Sequence, residues 1–331
     1  MGNAKMSRRA CLQLGAGLLA GLMVSGAWAQ SASYAQRPVR LIVPFAAGGA
    51  IDSMARKVGE SLGRELGQPV IVENKPGAAG NIGAAQVAKS APDGYTLLVG
   101  TSATHGANPA LFAKMQYDAV ADFEPISLWG FVPNVLVVNA EKGHKNLNEL
   151  VAAAKANPGG LGYGSAGTGT SLHLAGILFE KAADVKLMHV PYKGGAPASL
   201  DLLGGNIPMM FDTITVSLPN LKAGKLRAFA VAAPERHFAL PDVPTFAELG
   251  YKGVEAGTWA GVFAPRGTPA PILAELNQVF ARVLQDPAVI ESMRANGVQI
   301  MSWQGEKFRA YVNSEIKHWG QVIRDAKIAI E

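Results

Sequence analysis

A chain of 331 residues, 49% hydrophobic and 17% charged, has the length and apolar content for one or two folded cores. That balance excludes a disordered or fibrous chain. The formal net charge of +5 includes Lys5, Arg8 and Arg9, and without them 27 basic residues face 25 acidic ones, a net +2 that argues against a nucleic-acid or membrane-surface partner.

The first elements read as an export signal. Ser7-Arg8-Arg9 gives a positive start, Leu12 to Val24 an apolar run too short to span a bilayer, and Ala27-Trp28-Ala29 a small-x-small cleavage pattern. Cleavage is expected after Ala29, which places the mature protein in the periplasm. The arginine pair resembles a twin-arginine signal, although Cys11 and Gln13 depart from it, so both export routes stay open. Cys11 is the only cysteine, so the mature chain is expected to have no disulfide, thiol nucleophile or thiolate metal site.

From there, strands and helices alternate. Val39–Val43 is a strand ending at Pro44. A helix with apolar positions Ile51, Ala55, Val58, Leu62 and Leu66 follows and stops at Gly67. Val70–Glu73 is a second strand, residues 80–91 a small-residue helix, and Tyr95–Val99 a third strand after the Asp93-Gly94 turn. A second series starts at the strand Val135–Val138, followed by a helix with Asn146 and Glu149 as a capping box. A short strand at Tyr163, a helix from Ser171 to Lys181, strands at 186–190, 207–211 and 226–231, and a helix at 197–203 complete it. Residues 258–263 read as a strand, and the last 65 residues as almost wholly helical. Such alternation predicts an α/β fold of mostly parallel sheets flanked by helices. Two blocks with a returning tail suggest two lobes joined by two crossing strands, near Val135–Val138 and Thr258–Phe263. The expected division is 30–131 plus 257–331 for lobe 1 and 132–256 for lobe 2.

Ligands of open α/β sheets sit beyond the carboxyl ends of strands, where helix N-termini point. Two loops fit. Phe45-Ala46-Ala47-Gly48-Gly49, running on to Asp52, has glycines that admit a close ligand and a helix start that suits an anion. Ser165-Ala166-Gly167-Thr168-Gly169-Thr170-Ser171, leading to His173, adds more hydroxyls than one helix cap needs. Thr101 and Ser102, Tyr192 and Lys193, and Asp212 follow other strands and are candidates to complete a cleft. Valine at Gly169 or Gly49 is expected to abolish binding.

Catalytic templates fit poorly. Gly162, Gly164 and Gly167 match G-x-G-x-x-G, yet no long hydrophobic strand precedes them, which weakens a dinucleotide reading. Ser165 has Tyr163 where a nucleophile elbow needs glycine, so a hydrolase using Ser165 or Ser171 with His173 or His105 is the alternative. The six histidines show no metal-binding spacing, and neither a metal nor a cofactor is expected.

Five segments carry a resemblance. They are Pro38–Gly49 with Asp52; Val72–Gly80; Asp93–Leu98; Gly167–Gly176 with Val190–Pro197; and Phe263–Pro269. In these segments, spread across the mature chain, it resembles the Bug family, the substrate-binding proteins of tripartite tricarboxylate transporters, though Ala47 stands where proline is usual. The resemblance implies a type II periplasmic-binding fold that closes by hinge motion. It also implies a carboxylate held mainly by backbone amides and waters from the loops Phe45–Gly49 and Ser165–Ser171, and no catalysis. The expected form is a monomer that delivers its ligand to membrane components of such a transporter or to a sensor.

Overall fold

The computed structural model describes Gly2 and residues 34–325. The expected signal peptide, its cleavage point and Cys11 lie outside the described residues. Among the described residues, no helix is long and apolar enough to cross a membrane.

The first block forms by the local rules its sequence announces. β1 (Val39–Val43) and β2 (Val70–Asn74) pair in parallel, joined by α1 (Ala50–Leu66). α1 buries Ile51, Met54, Ala55, Val58, Leu62 and Leu66, a stripe at three- and four-residue spacing, and Gly67 ends it in the left-handed region at φ 65°. After α2 (Asn81–Ala88), β3 (Thr96–Thr101) pairs in parallel with β1 on its other side.

The long β4 (Phe123–Asn139) joins the two lobes. Its first part pairs antiparallel with β9 (Gly257–Pro265) as far as Pro133, and from Asn134 onward it pairs with β7 (Met209–Thr213) and β8 (Leu226–Val231). At the switch the Asn134 N–H donates to the Ala256 carbonyl at 2.9 Å, and the Asn134 carbonyl accepts from the Ala232 N–H at 2.8 Å. Residues 133–134 and 256–257 therefore lie side by side as two crossings between lobes. Val135–Val138 sits just beyond the first of these and Thr258–Phe263 just beyond the second.

After the short helix α3 (Asn108–Leu111) of the first lobe, the second lobe adds α4 (Leu147–Ala156), then β5 (Gly162–Ser165), α5 (Ser171–Ala183) and β6 (Met188–Pro191). It continues with α6 (Gly195–Gly204) before β7 and α7 (Ile214–Lys222) after it. β5 pairs in parallel with β6 and β7. The βα units are thus parallel, as expected, whereas β4, which crosses between lobes, and β9, which starts at the second crossing, pair antiparallel with their neighbours and make the whole sheet mixed.

Two differences from the sequence reading have physical causes. Residues 123–134 give no strand signal because Pro125, Gly130 and Pro133 punctuate them. The structure accommodates these with register shifts at Pro125/Ser127 and Leu128/Gly130, bulges that only a paired neighbour stabilises. The tail after α8 (Ala270–Val283) and α9 (Pro287–Ala295) is not wholly helical. β10 (Gln299–Gln304), which contains Trp303, pairs with β4 before α10 (Gly305–Asp325). A strand this irregular is formed by its partner, not by its own periodicity.

Candidate functional site

Between the lobes lies a cavity of about 510 Å³, counting the part open to solvent. Four helices start at it. Gly49 precedes α1, Thr170 precedes α5, Gly194 precedes α6 and Thr213 precedes α7, and all four residues line it. None of these four uses its side chain to cap its helix, whereas Asn146 and Asp286 do cap α4 and α9. The Thr170 hydroxyl donates to the Gly167 carbonyl at 2.7 Å instead. Free N–H groups and the positive ends of helix dipoles thus converge on one space. Its lining includes no lysine, arginine or histidine, only the carboxylates Asp52 and Asp212.

The lobes touch around this space. The Ala46 N–H donates to the Lys193 carbonyl at 3.3 Å, and a Cβ on Gly194 would lie 3.2 Å from the Ala46 Cβ. Of the first-loop candidates, Phe45, Ala46, Gly49 and Asp52 line the cavity. Gly48 does not. At φ 82° it turns the chain so that its N–H reaches Asp52 Oδ2 at 2.9 Å. Asp52 also accepts from Arg56 Nε at 3.0 Å and Asn74 Nδ2 at 2.9 Å, and Asn74 Nδ2 in turn donates to the Phe45 carbonyl at 3.0 Å. Burial pushes the Asp52 pKa up, but hydrogen bonds from Arg56, Gly48 and Asn74, together with the Arg56 charge, outweigh it and hold the carboxyl below its usual range. Asp52 therefore fixes the loop that carries the site.

Thr101 and Ser102 line the cavity, and Ser102 Oγ donates to Thr258 Oγ1 at 3.2 Å across to β9. In the second loop Thr170 and Ser171 reach it, along with Ala166. Gly167, Thr168, Tyr192 and Lys193 instead border a neighbouring opening with Phe45. The Tyr192 hydroxyl is spent on Asp201 at 2.7 Å, and the Lys193 side chain is exposed. Gly169 sits at the lobe contact, where an added Cβ would lie 3.1 Å from Leu111 Cδ1 and 3.2 Å from Asn108 Oδ1.

Ser165 and His173 lie behind the loop. Ser165 is fully buried, its Oγ 2.6 Å from His189 Nε2, and His173 stacks on His189 with centroids 4.0 Å apart. His173 Nδ1 accepts the Gly169 N–H at 3.1 Å, so this cluster braces the glycine-threonine turn. Its serine has no path to substrate, and His105 is enclosed by Phe123 and Phe263. Ser171 does reach the cavity, but its Oγ donates to Asn134 Oδ1 at 3.4 Å and no histidine lines the cavity, so the hydrolase alternative finds no serine–histidine pair there.

Sequence reasoning missed Gly194, Gly195, Thr213, Val216 and Thr258 in the lining. It singled out the right turn at 190–195 but chose its aromatic and its cation. In a site made of helix starts, the glycines were the better signal.

These buried imidazoles predict an acid-sensitive fold. Burial lowers His105 to about 3 and His173 to about 4, and burial together with the neighbouring His173 lowers His189 to about 3. The folded imidazoles stay neutral while an unfolded chain protonates near 6.5, so their full contribution is present above that pH and is lost as pH falls toward 3. His105 and His173 together should remove on the order of 3 kcal/mol between pH 6.5 and 5. Asp212 opposes them, because burial raises it to about 7 and acid relieves that strain. The urea midpoint should still fall on acidification from pH 7 to 5, and a midpoint that rises would contradict the neutral, buried imidazoles.

The protein comparisons agree with this geometry. A profile of the tripartite tricarboxylate transporter family receptors matches residues 54–328. The chain belongs to this family. Family members are periplasmic substrate-binding receptors. Protein BugT of Bordetella pertussis is 38% identical to this receptor over 294 residues, covering 88% of this chain and 90% of BugT. The periplasmic binding protein BugD is 37% identical with a TM-score of 0.86, covering 90% of this receptor and 100% of BugD. Rpa4515 of R. palustris, solved with adipate, is 35% identical with a TM-score of 0.85 over 89% of this receptor and 99% of that chain.

Proposed function

We propose that this receptor is exported to the periplasm, captures a small carboxylate between its lobes, catalyses no reaction and hands the ligand to a membrane transporter of the tripartite type. Residues 34–131 with 257–325 form one moving body and residues 132–256 the other, hinged at the paired crossings. One observation carries the reading: four helix N-termini, none capped by the side chain of the residue before it, meet in a cavity without a cationic side chain. Backbone N–H groups so placed stabilise an anion without the reorganisation a lysine would need. The N-termini of α1 and α5, on opposite lobes, are the carboxylate's partners, so closure and binding are one event. The adipate bound to Rpa4515 supports a carboxylate ligand.

A thermal-shift screen of the mature protein against small carboxylates and their amides tests this. A ligand at 100 times its Kd stabilises by about 2.7 kcal/mol. At about 300 residues that is a rise of roughly 4 °C. Carboxylates should produce the rise and the matched amides should not. Equal shifts with amides, or none with any carboxylate, would overturn the reading.

A further inference from the structure

Not every helix start in the cavity is free for a ligand. Asp212 ends β7, and its Oδ1 accepts the Thr213 N–H at 2.8 Å while Oδ2 accepts the Ser217 hydroxyl at 2.7 Å. Both donors come from the start of α7, so the protein's own carboxylate fills that anion position. The start of α6 lies beside it too, since a Cβ on Gly195 would lie 3.2 Å from Asp212 Oδ1. A ligand carboxylate is left the α1 and α5 end. Beside Asp212, Thr213 is 5% exposed and its buried hydroxyl has no hydrogen-bond partner, and both residues line the cavity.

We infer that Asp212 and Thr213 form a subsite for a hydrogen-bond donor at the far end of the ligand, selecting small monocarboxylates that end in a hydroxyl or amino group over dicarboxylates. This rests on the carboxylate reading above. Each Asp212 oxygen keeps a lone pair after its protein bond, so a ligand hydroxyl can donate to it and accept from Thr213 Oγ1. An ammonium would donate there and neutralise the buried charge. A second ligand carboxylate would instead meet Asp212 with no lysine, arginine or histidine in the lining to separate the two. Burial alone raises the Asp212 carboxyl, against the pull of Ser217 and Thr213, to about 7, so a donor can secure its ionised form near neutrality without a large opposing cost.

Isothermal titration of the mature protein with matched four-, five- and six-carbon series is the test. Each series holds the ω-hydroxy acid, the ω-amino acid, the dicarboxylate and the unsubstituted monocarboxylate. In the best-fitting length, the hydroxy or amino acid should bind at least tenfold tighter than the dicarboxylate, and the pair identifies which donor is preferred. Asp212→Asn, which offers an amide donor, should narrow that ratio at least tenfold. A dicarboxylate that binds as tightly as either donor ligand overturns the subsite while leaving the carboxylate reading intact, as does a preference unmoved by Asp212→Asn. Should the variant fail to fold, the wild-type series decides by itself. If no member of any series binds, the underlying carboxylate reading fails first.

Discussion

Gly169→Val is expected to weaken carboxylate binding at least 100-fold while the unliganded protein remains folded. Gly169 has φ 89°, a left-handed conformation that a β-branched residue adopts only under strain. Its larger effect lies across the cleft. The new Cβ would meet Leu111 Cδ1 at 3.1 Å and Asn108 Oδ1 at 3.2 Å, and the γ-methyls would reach further. Asn108 cannot step aside, because its Nδ2 is held by the Ala79 carbonyl at 3.1 Å and Asn81 Oδ1 at 2.7 Å. With the lobes apart these neighbours are gone and only the backbone strain remains. Calorimetric titration should therefore show the loss, about 2.7 kcal/mol for 100-fold, while the melting temperature without ligand falls by only a few degrees. Wild-type affinity in this variant would mean that the glycine-threonine turn does not meet the other lobe on closure. Gly49 differs. It has φ −81°, and its Cβ position meets only the Ala46 carbonyl at 3.8 Å, so the backbone there does not demand glycine. Valine at Gly49 would act only by intruding on the cavity.

Gly130→Val is expected to destabilise the fold by about 3 kcal/mol or more, the upper range of overpacking effects. Gly130 lies in β4 between β9 and β10, opposite Ala260 on one side and Ile300 on the other. A Cβ there would stand 2.8 Å from the Gln299 carbonyl oxygen and 2.7 Å from Val298 Cγ1. Backbone on a paired strand cannot retreat without breaking its ladder, so the strain goes into β10 and the packing of α10. The melting temperature should drop by roughly 5 °C or more, with ligand affinity at low temperature nearly unchanged. A drop under 2 °C would mean that β10 yields easily and contributes little to the lobe.

Local chemistry explains what the residues announced. The stripe on α1 and its stop at Gly67, the Asn146 cap bonded to the Glu149 N–H at 2.9 Å, and the hydroxyl-rich turn before α5 all depend on neighbours a few positions away. The first loop was legible for the same reason, since glycines before an amphipathic helix mark a helix start that leaves its N–H groups open. The roles inside the loops were not. Asp52 lines the cavity and His173 stands near it in sequence, yet one spends its carboxylate on Gly48, Arg56 and Asn74 and the other supports Gly169 from behind. Lys193 offered the most conspicuous charge and contributes its carbonyl.

By itself, then, the sequence determined the α/β alternation, the family resemblance and the two anion-favouring turns, because periodicity, capping and turn chemistry act over a few residues. Only the tertiary structure decided that β4 crosses between lobes through two prolines and that β10 is a strand. It alone brought four helix starts to one cavity, with Asp212 occupying one of them. Those outcomes come from pairing and burial between residues far apart along the chain, where the partner supplies the energy that local preference lacks.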